Sequence, residues 1–143
     1  MLYVDASALV PLYTPEATSN EIEQMVMAAD GVAVSDLTLA EAKNAIIRKG
    51  RRGELMPEDL AMALRAIDDH VAGRRFYVVE MQRAFLQQVP ELSQQAPVHL
   101  RTLDGLHLAA ALAIQATAMA TYDLDLAQAV HARSMTVVGA RLI

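Results

Sequence analysis

The sequence reads as an α/β fold, a mostly parallel central sheet of about five strands flanked by helices. Three observations predict it. Short apolar runs recur along the chain, separated by stretches with helical periodicity. Most of these runs are apolar throughout instead of alternating with polar residues, as strands covered on both faces are. The 143 residues, 54% hydrophobic and 20% charged, are enough to bury a real core. No linker, internal repeat or low-complexity tract divides them, so one domain over 1–143 is expected.

Each element follows from its residues. LYVD (2–5) is an apolar run that ends in an acid, with a small-residue turn and a helical pattern behind it, hence a buried strand. A short helix follows over 7–13, where Pro11 is tolerable only in the first turn. A second helix is expected over 18–29. Gly31 breaks its pattern, and VAVS (32–35) is the next strand. The helix over 37–49 is stopped by Gly50 and Gly53 and carries cations at its C-terminal end, where they suit the macrodipole.

Pro57 opens a further helix, with Glu58 and Asp59 in its first turn, and this helix should end near Gly73. FYVVEM (76–81) is aromatic and β-branched, hence a strand. A helix from Gln82 is broken or bent at Pro90. In LRTLDGLHLAAALA (100–113), ten of fourteen residues are apolar or glycine. A helix apolar on nearly every side is a buried one, expected here over 103–115. MATY (119–122) and TVV (136–138) are the last strands, with a helix over 124–132 between them.

Composition narrows the function. The chain has no cysteine, which excludes a disulfide framework and a thiolate metal site. No apolar run approaches the roughly 18 residues that span a bilayer. The opening MLYVDASALV lacks the basic start and small-residue cleavage site of a signal peptide, so a soluble, cytoplasmic protein without membrane association is expected. The net charge of −5 argues against a protein that coats nucleic acid, though not against local phosphate contacts. RKGRRG (48–53), with four of the twelve basic residues, is either a phosphate clamp or a solvated helix end. The methionines read mostly as core filler.

In parallel α/β sheets, ligands bind at the carboxyl ends of the strands. Asp5 closes the first strand and Asp123 follows the MATY strand. Asp104 stands in the first turn of the buried helix, and Glu41 shares a helix face with Leu37 and Ala45. Each acid also has an ordinary reading. Asp5 and Asp123 form turns or caps, Glu41 is solvated, and Asp104 caps its helix, although Thr102 serves as that cap equally well. As a set they say more. Carboxylates converging at one rim repel strongly unless a cation lies between them. All-oxygen ligation suits Mg²⁺ or Mn²⁺, and such a site activates water and steadies the leaving oxygen in phosphate chemistry.

YVDASAL (3–9), SDLTLAEA (35–42), RTLDGLHLAAA (101–111) and ATYDLDL (120–126) together resemble the successive acidic motifs of PIN-domain ribonucleases, most closely VapC toxins of type II toxin–antitoxin modules. The resemblance covers essentially the whole chain. It implies a single PIN-like domain with metal-dependent endonucleolytic cleavage of RNA by water attack. It also implies homodimers and a small antitoxin that covers the site. By position, Asp5, Glu41, Asp104 and Asp123 match the family's metal-binding acids, Ser7 a hydroxyl near the first, and Thr121 the threonine of its T-x-D motif. Leu124 and Asp125 follow the fourth acid, where relatives often carry a basic or polar residue.

Two further residues are candidates for support. His107 lies on the same helix face as Asp104, either as a packed, hydrogen-bonded histidine or in contact with metal-bound water. Arg101, just before the helix, either meets phosphate or pairs with a carboxylate. One rival is a haloacid-dehalogenase-like phosphatase, but the second aspartate which that chemistry needs is Ser7 here. The other is a non-catalytic α/β interaction module, which the presence of all four acids disfavours.

Overall fold

All four strand pairings in the sheet are parallel, as the unbroken apolar runs require. The computed structural model describes residues 1–142. Its elements run β1 (Leu2–Val4), α1 (Ala6–Leu9), a 3₁₀ turn (Val10–Leu12), α2 (Ser19–Ala28), β2 (Val32–Ser35), α3 (Asp36–Arg51) and α4 (Pro57–Ala72). They continue with β3 (Tyr77–Val79), α5 (Arg83–Gln95), α6 (Thr102–Ala113), β4 (Ala118–Thr121), α7 (Leu124–His131) and β5 (Thr136–Gly139). The five strands lie in the order β3-β2-β1-β4-β5. From β1 the chain builds outward to β2 and β3, then crosses back to place β4 on β1's other side. That reversal makes the β1/β4 boundary the topological switch point, the place where open α/β sheets bind their ligands.

Alternate residues of β1 feed two cores. Tyr3 packs with Phe85, Leu108, Met119 and Leu126 on the side of α5, α6 and α7. Leu2 and Val4 pack with Leu9, Ile22, Ile46 and Ile67 on the side of α1 to α4. The sheet is thus covered on both faces, and α6 is buried continuously from Asp104 to Ala111. Gly105 lets α6 come close to α5, since a Cβ there would lie 3.1 Å from a Val89 methyl.

Several sequence-predicted boundaries shift. The helix expected over 7–13 is α1 followed by the 3₁₀ turn, with Pro11 inside the turn, where the tighter winding accommodates a residue without an N–H. The helix expected to stop at Gly50 runs through it to Arg51, because Gly50 admits Leu60 of α4 against it. The turn comes at Gly53, whose φ is +74°. The helix around Pro90 is not broken: Pro90 and Leu86, whose carbonyl loses its partner, both lie exposed, where water can replace the bond. Thr102 is the first residue of α6 and not its cap, and the cap position, Arg101, makes no side-chain capping bond. The methionines are not mostly core filler: of the eight only Met119 and Met135 are buried, and Met1, Met27, Met56 and Met62 are exposed.

Candidate active site at the carboxyl edge of the sheet

Each acid arrives on an element whose end lies at the carboxyl rim. Asp5 leaves β1 as the N-cap of α1 and is 4% exposed. Its Oδ1 accepts from the Ser7 hydroxyl at 2.7 Å and from the Ala8 N–H at 3.1 Å, and its Oδ2 accepts from the Thr121 hydroxyl. Asp123 leaves β4 as the N-cap of α7, its Oδ1 accepting the Leu126 N–H at 2.9 Å. Both caps therefore exist, each using one carboxylate oxygen on its helix, while the second accepts from Thr121 at Asp5 and from Arg101 at Asp123. Ser7 and Thr121 knit the two strand ends together. Ser7 Oγ accepts the Tyr122 N–H at 2.9 Å, and Thr121 Oγ1 accepts the Asp123 N–H at 3.1 Å.

Asp104 and Asp123 meet on one guanidinium. Arg101 Nε donates to Asp104 Oδ2 at 3.2 Å and Arg101 Nη2 donates to Asp123 Oδ2 at 2.7 Å. Of the two readings of Arg101, the carboxylate pair is the one present. Glu41, half-buried on α3, meets His107 Nε2 of α6 at 2.5 Å. His107 is 2% exposed and is held on its other nitrogen by Tyr3, a packed and hydrogen-bonded histidine.

Burial dominates the electrostatics of the two most enclosed acids. Burial pushes the Asp5 carboxyl above its ordinary value, against the pull of the Thr121 and Ser7 hydroxyls. Asp104 is also raised, first by burial and then by the charge of Asp123, with Arg101 opposing. The donor set is all oxygen, which fits a hard divalent ion. Among the described residues, however, no three His, Asp or Glu side chains stand arranged to hold one ion. Asp104 and Asp123 are turned to Arg101, and Glu41 to His107.

RKGRRG lies elsewhere. It closes α3 about 15 Å along the helix from Glu41, with Arg48, Arg51 and Arg52 exposed and Lys49 paired to Glu16 at 2.9 Å. The cluster thus forms an exposed basic helix end outside the acidic rim. Sequence reasoning missed Tyr3, Ser35 and Thr38, which join His107 beneath the site. A signal was present, since Ser35 and Thr38 form a capping box at the start of α3. Tyr3 gave none beyond the rule that a buried phenol needs a partner.

Fold and site together define a doubly wound parallel α/β protein whose ligand rim, at the switch point, is acidic and oxygen-rich. A family model described as PIN domain matches residues 2–132. Ribonuclease VapC45 of Mycobacterium tuberculosis is 31% identical over 144 residues, covering 99% of this chain and 97% of that protein. The chain belongs to the PIN-domain family, among its VapC ribonucleases. Solved structures share the fold. M. tuberculosis VapC20, described as a sarcin-ricin loop cleaving toxin, superposes with a TM-score of 0.69 at 14% identity, covering 89% of this chain and 93% of that one. A toxin–antitoxin complex from Klebsiella pneumoniae gives 0.63 at 14% identity with both chains fully covered.

Proposed function

We propose that this chain is a Mg²⁺- or Mn²⁺-dependent endoribonuclease toxin, held in check by a cognate antitoxin. The observation that supports the reading is that Asp104 and Asp123 meet on one guanidinium while Asp5 is bonded to Thr121, two residues before Asp123, at the β1/β4 switch point. These four acids would hold the ion, with Ser7 and Thr121 fixing the Asp5 carboxylate between the strand ends. When bound, the ion supplies Lewis acidity toward a phosphate oxygen and a more acidic water for attack on the phosphodiester. Arg101, whose side chain is 67% exposed, has room to release Asp104 and Asp123. Once released, it offers the rim a planar donor suited to phosphate. The metal and the named ligands rest on the donor set and on the motif match.

An antitoxin partner is supported by the kinship with VapC ribonucleases and by the neighbouring toxin–antitoxin complex. A cytoplasmic homodimer completes the reading. No helix among the described residues is long and apolar enough to cross a membrane. The test is incubation of purified protein with a panel of structured RNAs, with Mn²⁺ or with a chelator. Cleavage is expected with metal alone. Asp5→Asn, which removes one charge at nearly constant shape, should abolish cleavage and relieve growth arrest on expression. Cleavage at parental rate by that variant would refute the assignment.

A further inference from the structure

Beneath the acids lies a buried polar network to which none of the roles above assigns a task. Tyr3, Ser35 and Thr38 are 0% exposed and His107 is 2% exposed. The Tyr3 hydroxyl lies 2.8 Å from Ser35 Oγ, 3.3 Å from Thr38 Oγ1 and 2.8 Å from His107 Nδ1. Across the ring, His107 Nε2 meets Glu41 Oε1 at 2.5 Å. An ionised carboxylate can only accept, so Nε2 carries the hydrogen of that bond. Burying this many polar groups is costly unless each is partnered. Here each is: no buried side-chain nitrogen or oxygen among the described residues lacks a partner.

We propose that Tyr3 and His107 are positioning residues, with Tyr3 setting the angle of the His107 ring and His107 holding the Glu41 carboxylate in place at the rim. The inference rests on the reading of Glu41 as an ion ligand. Glutamate has one more rotatable bond than the aspartates around it, and so more freedom to lose on engaging an ion. Asp5 and Asp123 are steadied by caps on their own helices, whereas Glu41 sits mid-helix on α3 with no cap to hold it. An imidazole bound at both nitrogens does not turn, and it transmits its own fixed position to the carboxylate.

The network also ties together the elements that deliver the acids. Tyr3 belongs to β1, two residues before Asp5. Ser35 ends β2 as the N-cap of α3, and Thr38 lies one turn before Glu41. His107 lies one turn after Asp104 on α6. Thr38 closes the assembly by donating to the Val4 carbonyl at 3.1 Å. One cluster thus fixes how α3 and α6 stand on the first strand.

The experiment measures Mn²⁺ binding by calorimetry for the parent, Tyr3→Phe, Glu41→Gln and the double variant. Phenylalanine keeps the ring in the core and deletes one hydroxyl. Partners that orient a metal ligand are worth roughly 10- to 100-fold in affinity, so Tyr3→Phe should weaken binding about tenfold. If the hydroxyl acts through Glu41, the double variant binds no more weakly than Glu41→Gln alone. Tyr3→Phe binding Mn²⁺ as tightly as the parent, or losses that multiply in the double variant, overturns the positioning role and leaves the function standing. A parent that takes up no Mn²⁺ overturns the ligand reading itself. Should Tyr3→Phe not fold, His107→Gln and His107→Ala decide. Glutamine, which keeps an N–H donor, should hold affinity within a few fold where alanine loses about tenfold. Equal affinities overturn the proposal.

Discussion

Arg101 brings a positive charge directly onto two of the acids, and so competes with any cation they would take. Arg101→Ala should therefore tighten Mn²⁺ binding several-fold while slowing RNA cleavage, a split that calorimetry and a cleavage assay read separately. Asp104 gives a pH prediction. Its folded pKa lies above the ordinary 3.8, chiefly through burial, so the folded chain retains a proton that the unfolded chain has released. Metal-free stability then falls as pH rises through and beyond 3.8. Asp104→Asn removes that penalty, and should melt above the parent at pH 7, the gap closing toward pH 4. Coincident melting curves at pH 7 would refute it. Asp5 and Asp123 drew notice in the sequence because a carboxylate at the end of an apolar run is out of place unless something needs it. Tyr3 was not, because a phenol inside LYV reads as filler until the histidine 104 positions away is known to meet it. Thr102 was misread for a related reason: residue type marks a possible cap, and the backbone decides which residue stands there.

Helix and strand identities followed from periodicity, and the misplaced ends trace to contacts between elements. α3 overran Gly50 because α4 packs Leu60 there, and a glycine that looks like a stop served as a close approach. Pro90 shows the limit of a local rule. Proline costs an interior helix about 3 kcal/mol relative to alanine, yet α5 keeps it where the affected carbonyl is exposed. Pro90→Ala restores an N–H donor and adds some flexibility to the unfolded chain, a loss of about 0.5–1 kcal/mol. The net expectation is a gain of about 2–2.5 kcal/mol in urea unfolding, and an unchanged midpoint would show that the helix is already adapted to the ring. Leu108, 1% exposed at the centre of α6, should show the opposite behaviour. Leu108→Ala should cost about 2–5 kcal/mol, the ordinary penalty for a buried leucine, in the same measurement.

The strand order was the part least open to sequence reasoning, since apolar runs announce strands without saying which lie side by side. That order nonetheless decides everything about the rim, because it sets β4 against β1 and so Asp123 near Asp5. A divalent ion joining these distant segments binds the folded state alone. Mn²⁺ at 100 times its dissociation constant should then stabilise the chain by about 2.7 kcal/mol, seen as a higher Tm that Asp5→Asn abolishes. The same pairing bears on the chain's own synthesis. A ribosome that has reached the end of α5 has made β1, β2 and β3, but neither Asp104 nor β4. Synthesis must therefore pass Asp123 before the rim holds all four acids.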